Sequence, residues 1–145
     1  MLRATITVIL ATAVAVFAFE LPAAGQTTAP RTRTLQLDSR FTYSHTSGKI
    51  ELATDKLSVG QLVVGHDVVD CIAVKSTTFE CSFTETINGQ GTLQAEGLQG
   101  STNAPAAMAI VGGTGTYIGA TGTMTTSDEN TSVEHYLLRY TLPNG

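Results

Sequence analysis

The stretch Ala109–Met124, AIVGGTGTYIGATGTM, decides the fold of this 145-residue chain. Five glycines alternate in it with β-branched residues, a tyrosine and alanines. That composition suits two strands joined at a glycine corner, because glycine is used where the backbone needs positive φ or where another chain passes too close for a side chain. In this reading Gly112 and Gly113 mark the turn. Gly119 and Gly122 mark places where a strand bends sharply, as strands do when a sheet closes into a small barrel. The glycine density of GGTGTYIG would also suit a phosphate loop, but no lysine follows the glycines and no amphipathic helix opens after them. Thr116 to Thr125 keeps a strand's period of two instead.

Working outward, each segment reads as another strand. Leu35, Leu37, Phe41 and Tyr43 alternate with Gln36, Asp38, Arg40 and Thr42, the pattern of a half-buried strand. His45 to Gly48 turns the chain into Lys49 to Leu57, and Val59-Gly60-Gln61 turns it again into a long apolar segment, Leu62 to Val74, interrupted by Gly65. Ser76 and Thr77 connect to Thr78–Thr86, and Asn88-Gly89 is a type I′ hairpin signal leading to Gly91–Leu98. After a polar loop, Gly100 to Pro105, the segments Ala106–Val111, Thr116–Thr125 and Ser132–Leu142 bring the count to eight, and no window sustains a helical period. The expectation is an all-β chain forming an eight-stranded antiparallel up-and-down β-barrel, with a sandwich as the alternative. Such a barrel is just wide enough to be filled by side chains or to hold one small ligand.

The N-terminus has Arg3, an apolar run from Ile6 to Phe19, then Pro22 and the small residues Ala23, Ala24 and Gly25. This order is that of a secretory signal peptide over residues 1–25, and the run is shorter than the ~20 residues of a membrane-spanning helix, so no stable anchor is expected after cleavage. Residues 26–33 read as a flexible leader and 34–145 as a single β-barrel domain, secreted and extracellular. The formal net charge is −4, and Arg40, Lys49, Lys56, Lys75 and Arg139 are scattered. No basic face is offered to nucleic acid, which is excluded as a partner.

If the connection after Lys75 centres on Ser76, Cys71 lies opposite Cys81. In an exported protein two cysteines on paired strands are most simply a disulfide; the competing reading is a reactive thiol. Parity then places Val63, Asp67, Val69, Cys71, Ala73, Phe79, Cys81 and Phe83 on one face, and a two-residue turn at Asn88-Gly89 adds Gln94, Glu96 and Leu98 to it. Leu62, Val64, His66, Val68, Asp70, Ile72, Glu80, Ser82, Leu93 and Ala95 take the other. Neither face is plainly solvent-like, and an outer wall this apolar predicts a homo-oligomer.

Several segments resemble the allene oxide cyclase and dirigent proteins: GGTG at 112–115 followed by Tyr117, Gly119, Ala120 and Gly122; Thr54-Asp55-Lys56-Leu57, similar to that family's TNKL; Val64-Gly65 with Cys71 beyond; and Gly91 to Gly97. The similarity covers roughly Gly48 to Leu142. It implies an eight-stranded barrel, commonly a trimer, that binds an unsaturated fatty-acid epoxide and closes it to a cyclopentenone with no metal or organic cofactor. Dirigent relatives steer phenoxy radicals. The resemblance sets Cys71 at the family's pocket cysteine and Asp55 where the cyclase has an asparagine holding an ordered water; a carboxylate there favours a proton-bearing or cationic group instead. Asp38 is the nearest stand-in for the cyclase's first-strand glutamate, and Thr121 stands where dirigent proteins keep an arginine.

Candidate catalytic residues are therefore Asp55 and Asp67, and candidate ligand-binding residues are Val69, Cys71, Phe79, Phe83, Tyr136 and Tyr140. If Cys71 faces inward, alternation carries Asp67 with it into an apolar barrel, where desolvation raises a carboxyl pKa; the alternative is a solvated Asp67 at the mouth. His45, His66 and His135 are too dispersed for metal ligands, and no cofactor is expected. No serine sits in a nucleophile elbow, and Asn130-Thr131-Ser132 fits a glycosylation sequon. Three functions fit. The first is a barrel that binds a hydrophobic small molecule and directs its cyclisation or isomerisation. The second is a non-catalytic binding or dirigent-like stereocontrolling protein, and the third a structural protein with a filled barrel.

Overall fold

The computed structural model describes residues 30–100, 105–130 and 132–143, with the backbone alone at 128–130. The signal segment and most of the loop at 100–105 lie outside these residues. Eight strands run β1 (Thr32–Ser47), β2 (Ile50–Val59), β3 (Leu62–Lys75), β4 (Thr78–Ile87), β5 (Gly91–Gly100), β6 (Ala106–Gly113), β7 (Thr121–Asn130) and β8 (Val133–Thr141). Each pairs antiparallel with its sequence neighbours and β1 pairs with β8, so the sheet is a closed barrel in chain order. The fold is the all-β, eight-stranded up-and-down barrel. Closure removes the unpaired edges that an open sheet of this size would expose.

The glycine corner lies further along than Gly112-Gly113. These two glycines end β6, paired with Gln94 and Leu93, and the turn is a 3-10 helix at Gly115–Tyr117 followed by Ile118 to Ala120. Positive φ falls on Gly115 (60°) and Gly119 (74°), and Thr116 to Ala120 belong to the corner instead of a strand. Gly113 is needed for a different reason: a Cβ there would stand 2.4 Å from Thr92 O and 2.7 Å from Tyr117 Cβ, because the corner folds back over the end of β6.

Inward and outward residues alternate along every strand, but three irregularities decide which are which. The hairpin after β4 holds three residues, since Ile87 pairs with Gly91. That one extra residue reverses the expected parity of β5. Leu93 and Ala95 are fully buried, while Gln94, Glu96 and Leu98 face out. A bulge at Leu57/Ser58 turns Val63 outward, 53% exposed, and lets Val64 pack against the core. A second bulge between Phe41 and Tyr43 breaks the simple alternation of β1 and leaves both aromatics exposed.

The lumen is packed with Leu37, Leu57, Phe83, Leu93, Met108 and Met124 among others. One end is plugged by the corner: Tyr117 stacks edge-on against Tyr140 at 5.7 Å and its hydroxyl donates to Gln90 Oε1 at 2.8 Å. At the other end the hairpins β1–β2, β3–β4 and β7–β8 surround the mouth. Outside, Tyr43, Ile50, Leu52, Val68 and Ile72 form an exposed apolar wall over β1–β3. No helix among the described residues is long and apolar enough to cross a membrane.

Candidate functional site

Three adjacent strands present carboxyl groups to the lumen in one row. Asp55 on β2 is the direct partner of Asp67 on β3, which is the direct partner of Glu85 on β4. All three are buried, at 2%, 0% and 0% exposure. Neighbouring side chains on one face of a sheet lie about 5 Å apart, so the acids form a continuous strip on one wall. Ser39 of β1 closes the row, its hydroxyl donating to Asp55 Oδ2 at 3.1 Å and lying 3.5 Å from Asp67 Oδ2. From β8 comes Tyr136, held edge-on by Phe83 at 5.8 Å, with its hydroxyl donating to Glu134 Oε2 at 3.3 Å.

The β1 bulge serves this strip. It inserts Thr42, whose backbone favours the ionised form of Asp55 and whose hydroxyl bonds to the Thr54 carbonyl. Bulges commonly re-aim backbone groups in this way beside functional sites.

Burial dominates the electrostatics. Desolvation raises Asp55, and the bonds from Ser39 and Thr42 pull it part of the way back. Asp67 is pushed up to about 6 by desolvation and by the neighbouring Asp55, against bonds from Tyr136 and Ser39. Glu85 is pushed up to about 8 by desolvation and secondarily by Asp67, with only its own backbone amide favouring the charge. The Tyr136 phenol is raised well above its ordinary value by the same burial and by Asp67. Burial thus favours the protonated form along the row, most strongly at Glu85. Asp55 Oδ1, Asp67 Oδ1 and both Glu85 carboxyl oxygens have no hydrogen-bond partner on another side chain.

Of the residues singled out from sequence, Asp55, Asp67, Val69, Phe83 and Tyr136 converge here, with Cys71 nearer the mouth. Cys71 and Cys81 are bridged, with Cα atoms 4.1 Å apart, and neither is a free thiol. Phe79 is only partly buried, packed on the core, and Tyr140 stands in the plug at the far end. Asp38 does not replace the cyclase's glutamate. It points out of the barrel and pairs with His135 Nδ1 at 2.7 Å, beside an outer cleft of about 390 Å³ that Pro105, Thr125 and Ser127 also line. Ser39, Glu85 and Glu134 were missed. Each shares parity with an apolar neighbour two residues away, Leu37, Phe83 and Tyr136, and that alternation was the available signal.

No protein-family model and no curated protein matches the chain. Among solved structures it is similar to a pyocyanin demethylase, with 30% identity and a TM-score of 0.66 over 74% of this chain and 99% of that one. It is also similar to the pterocarpan synthase dirigent protein GePTS1, with 14% identity and a TM-score of 0.67 over 88% of this chain and 98% of that one; this second likeness speaks to the fold alone. With 30% identity over almost the whole length of the first relative, the chain belongs to that demethylase's family, and its closed eight-stranded barrel is of the dirigent and allene oxide cyclase-like fold.

Proposed function

We propose that the barrel binds one hydrophobic small molecule in its lumen and moves a proton on it, isomerising or cyclising it without a cofactor. The observation that supports this is the buried row Asp55–Asp67–Glu85. A filled structural barrel has no use for three carboxyl groups that each cost several kcal/mol when buried and unpaired, and a carrier needs only an apolar wall. Two neighbouring carboxyls whose environments push them apart supply an acid and a base at one pH. Asp67 is the base, Glu85 the acid, and Asp55 with Ser39 orients Asp67. Val69, Cys71, Phe83 and Tyr136 form the surrounding walls, which hold the substrate in a reactive conformer.

The reading is tested by extracting small molecules that copurify with the protein, identifying them by mass spectrometry, and returning each to the protein in D2O. Deuterium uptake into one of them, lost in Asp67→Asn, supports proton transfer. Copurifying ligands with no exchange reduce the barrel to a carrier, and no ligand at all favours the filled barrel.

A second reading is favoured by the 30% identity to the demethylase: a demethylation of pyocyanin itself. Incubation with pyocyanin, with water as the co-reactant, giving either methanol and a ring system lighter by one methylene or formaldehyde and the two-electron-reduced ring system, would establish it. Export and self-association belong to the same proposal. The Cys71–Cys81 bridge and the N-terminal run support secretion. The apolar outer wall supports a homo-oligomer, a trimer on the family pattern.

A further inference from the structure

We propose that the closed end of the barrel docks on an anionic lipid surface, with apolar side chains at its turns entering the headgroup layer and basic side chains meeting the phosphates. The inference is independent of what the lumen binds. It starts from where exposed apolar residues sit. In an up-and-down barrel the β2–β3, β4–β5 and β6–β7 connections share one end, here the end closed by the glycine corner. The β2–β3 hairpin runs on past the core: Leu57 is the last buried residue of β2, and beyond it Val59, Leu62 and Val63 are 52%, 69% and 53% exposed. In the corner itself Ile118 is 68% exposed. Among the described residues Leu62 and Ile118 are the most exposed of the large apolar side chains. Both stand at turns, apart from the apolar wall over β1–β3, and turns are where polar residues ordinarily meet water. Apolar groups gathered at one end of a molecule mark a surface that meets a less aqueous phase.

Charge is the second observation. The segments that build this end, 30–34, 58–64, 87–92, 112–121 and 139–143, contain no acidic residue and carry Arg31, Arg33 and Arg139. Arg33 is near enough to the buried Tyr117 phenol to oppose, in part, the rise that burial gives its pKa. Behind the hairpin tip Lys56 and His66 are direct cross-strand partners, both exposed on the outer wall. Asp38, the outward acid opposite Ser58, is held by His135 at 2.7 Å, and the exposed acids Glu51, Asp70, Glu80 and Glu96 lie toward the mouth. In a chain with a formal net charge of −4 this arrangement is a dipole whose positive end turns toward a negative surface. A nucleic acid or a soluble acidic polymer would satisfy the cations and leave the apolar tips in water. A lipid surface satisfies both. Lys56 lies behind Val59 by about 10 Å along the strand, and a headgroup layer is about 5–8 Å thick, so a lysine side chain extended toward the tip reaches the phosphates while the tip enters the layer beneath. With four apolar side chains to insert, Val59, Leu62, Val63 and Ile118, the docking is peripheral and reversible.

The test uses the full folded chain and cosedimentation with vesicles of phosphatidylglycerol and phosphatidylcholine in equal parts, against vesicles of phosphatidylcholine alone. The expected result is binding to the anionic vesicles, weakened at least about tenfold when salt is raised from about 0.05 to about 0.5 M, and little binding to the neutral ones. Neutralising one exposed cation, by Lys56→Gln or Arg139→Gln, should weaken anionic binding roughly fivefold. Leu62→Asn together with Ile118→Asn should weaken it at least about tenfold, while Leu98→Asn, which removes a side chain of 60% exposure nearer the mouth, should leave it unchanged. Each substitution is at an exposed side chain, and an unchanged melting temperature shows that the barrel is intact. Equal binding to both kinds of vesicle, or binding that no closed-end variant changes, is what the N-terminal apolar run alone would give, and either overturns the inference. A chain that ignores both vesicles overturns it as well. So does weakening by the charge variants with none from Leu62→Asn and Ile118→Asn, which would make this end a site for soluble polyanions.

Discussion

Changing Glu85 to glutamine is expected to make the protein more stable in mild alkali, the reverse of what removing a charged side chain from a surface would do. Glu85 is fully buried, and its pKa rises from 4.5 to about 8 through desolvation. A carboxyl with a raised folded-state pKa binds its proton more tightly folded than unfolded. Its stabilising effect is therefore complete below the unfolded value and is lost as pH rises towards the folded one. At ~1.4 kcal/mol per pH unit, that rise corresponds to an upper bound of about 5 kcal/mol between about pH 4.5 and 8, and local relaxation and water entry bring it to about 3 kcal/mol. Asp67, raised to about 6, steepens the lower part of the same window. Glutamine keeps the shape and removes the titration. At about pH 5 the variant should lie within about 1 kcal/mol of the parent, and by about pH 8 it should be the more stable by about 3 kcal/mol. The chain has no tryptophan, so urea unfolding followed by tyrosine fluorescence, with the disulfide intact, measures the difference. A parent protein whose stability is level or rising across that range, or a variant that runs parallel to it, would refute the assignment of Glu85 as a buried, unpaired acid.

Gly113→Ala should cost several kcal/mol, because its Cβ would overlap Thr92 O and Tyr117, whereas Gly112→Ala, whose nearest neighbour is Gln94 Oε1 at 4.0 Å, should stay within about 0.5 kcal/mol; equal effects on the melting temperature would count against the corner described above. Replacing Cys71 and Cys81 together by alanine should lower stability by about 3 kcal/mol, read as a fall in the urea midpoint relative to the oxidised parent. Ser39→Ala removes the donor shared by Asp55 and Asp67, so it should lower stability by about 1–3 kcal/mol at neutral pH and lose that effect in acid, where both acids are protonated; a pH-independent difference would mean that the hydroxyl only fills space.

How far the site was legible depends on what each residue's orientation rests on. The pairing of Cys71 with Cys81 followed from a tight connection at Ser76-Thr77, and the structure keeps that register along the hairpin, with Asp70 opposite Ser82 and Ala73 opposite Phe79. Asp67 could thus be placed on the Cys71 face by counting alone. Glu85 stood on the same face two residues beyond Phe83, readable by the same count. One residue further on the counting failed. Asn88-Gly89 has the composition of a two-residue turn, yet the loop includes Gln90, and the whole of β5 turned over. Phe41, Tyr43 and Val63 were misplaced for the same reason, since a bulge leaves no mark in hydrophobic alternation.

The sequence by itself determined the strands, their short antiparallel connections, the barrel class and the cysteine pairing, because period-two alternation and turn chemistry act over a few residues and do not need the rest of the chain. Only the tertiary structure decided which face is inside after each bulge, where the glycine corner sits, and that Ser39, Asp55, Asp67, Glu85 and Tyr136 meet in one lumen. A one-residue slip changes little locally and reverses every side chain downstream, so the choice is made when the sheet closes β1 onto β8 and all inward faces must be buried together.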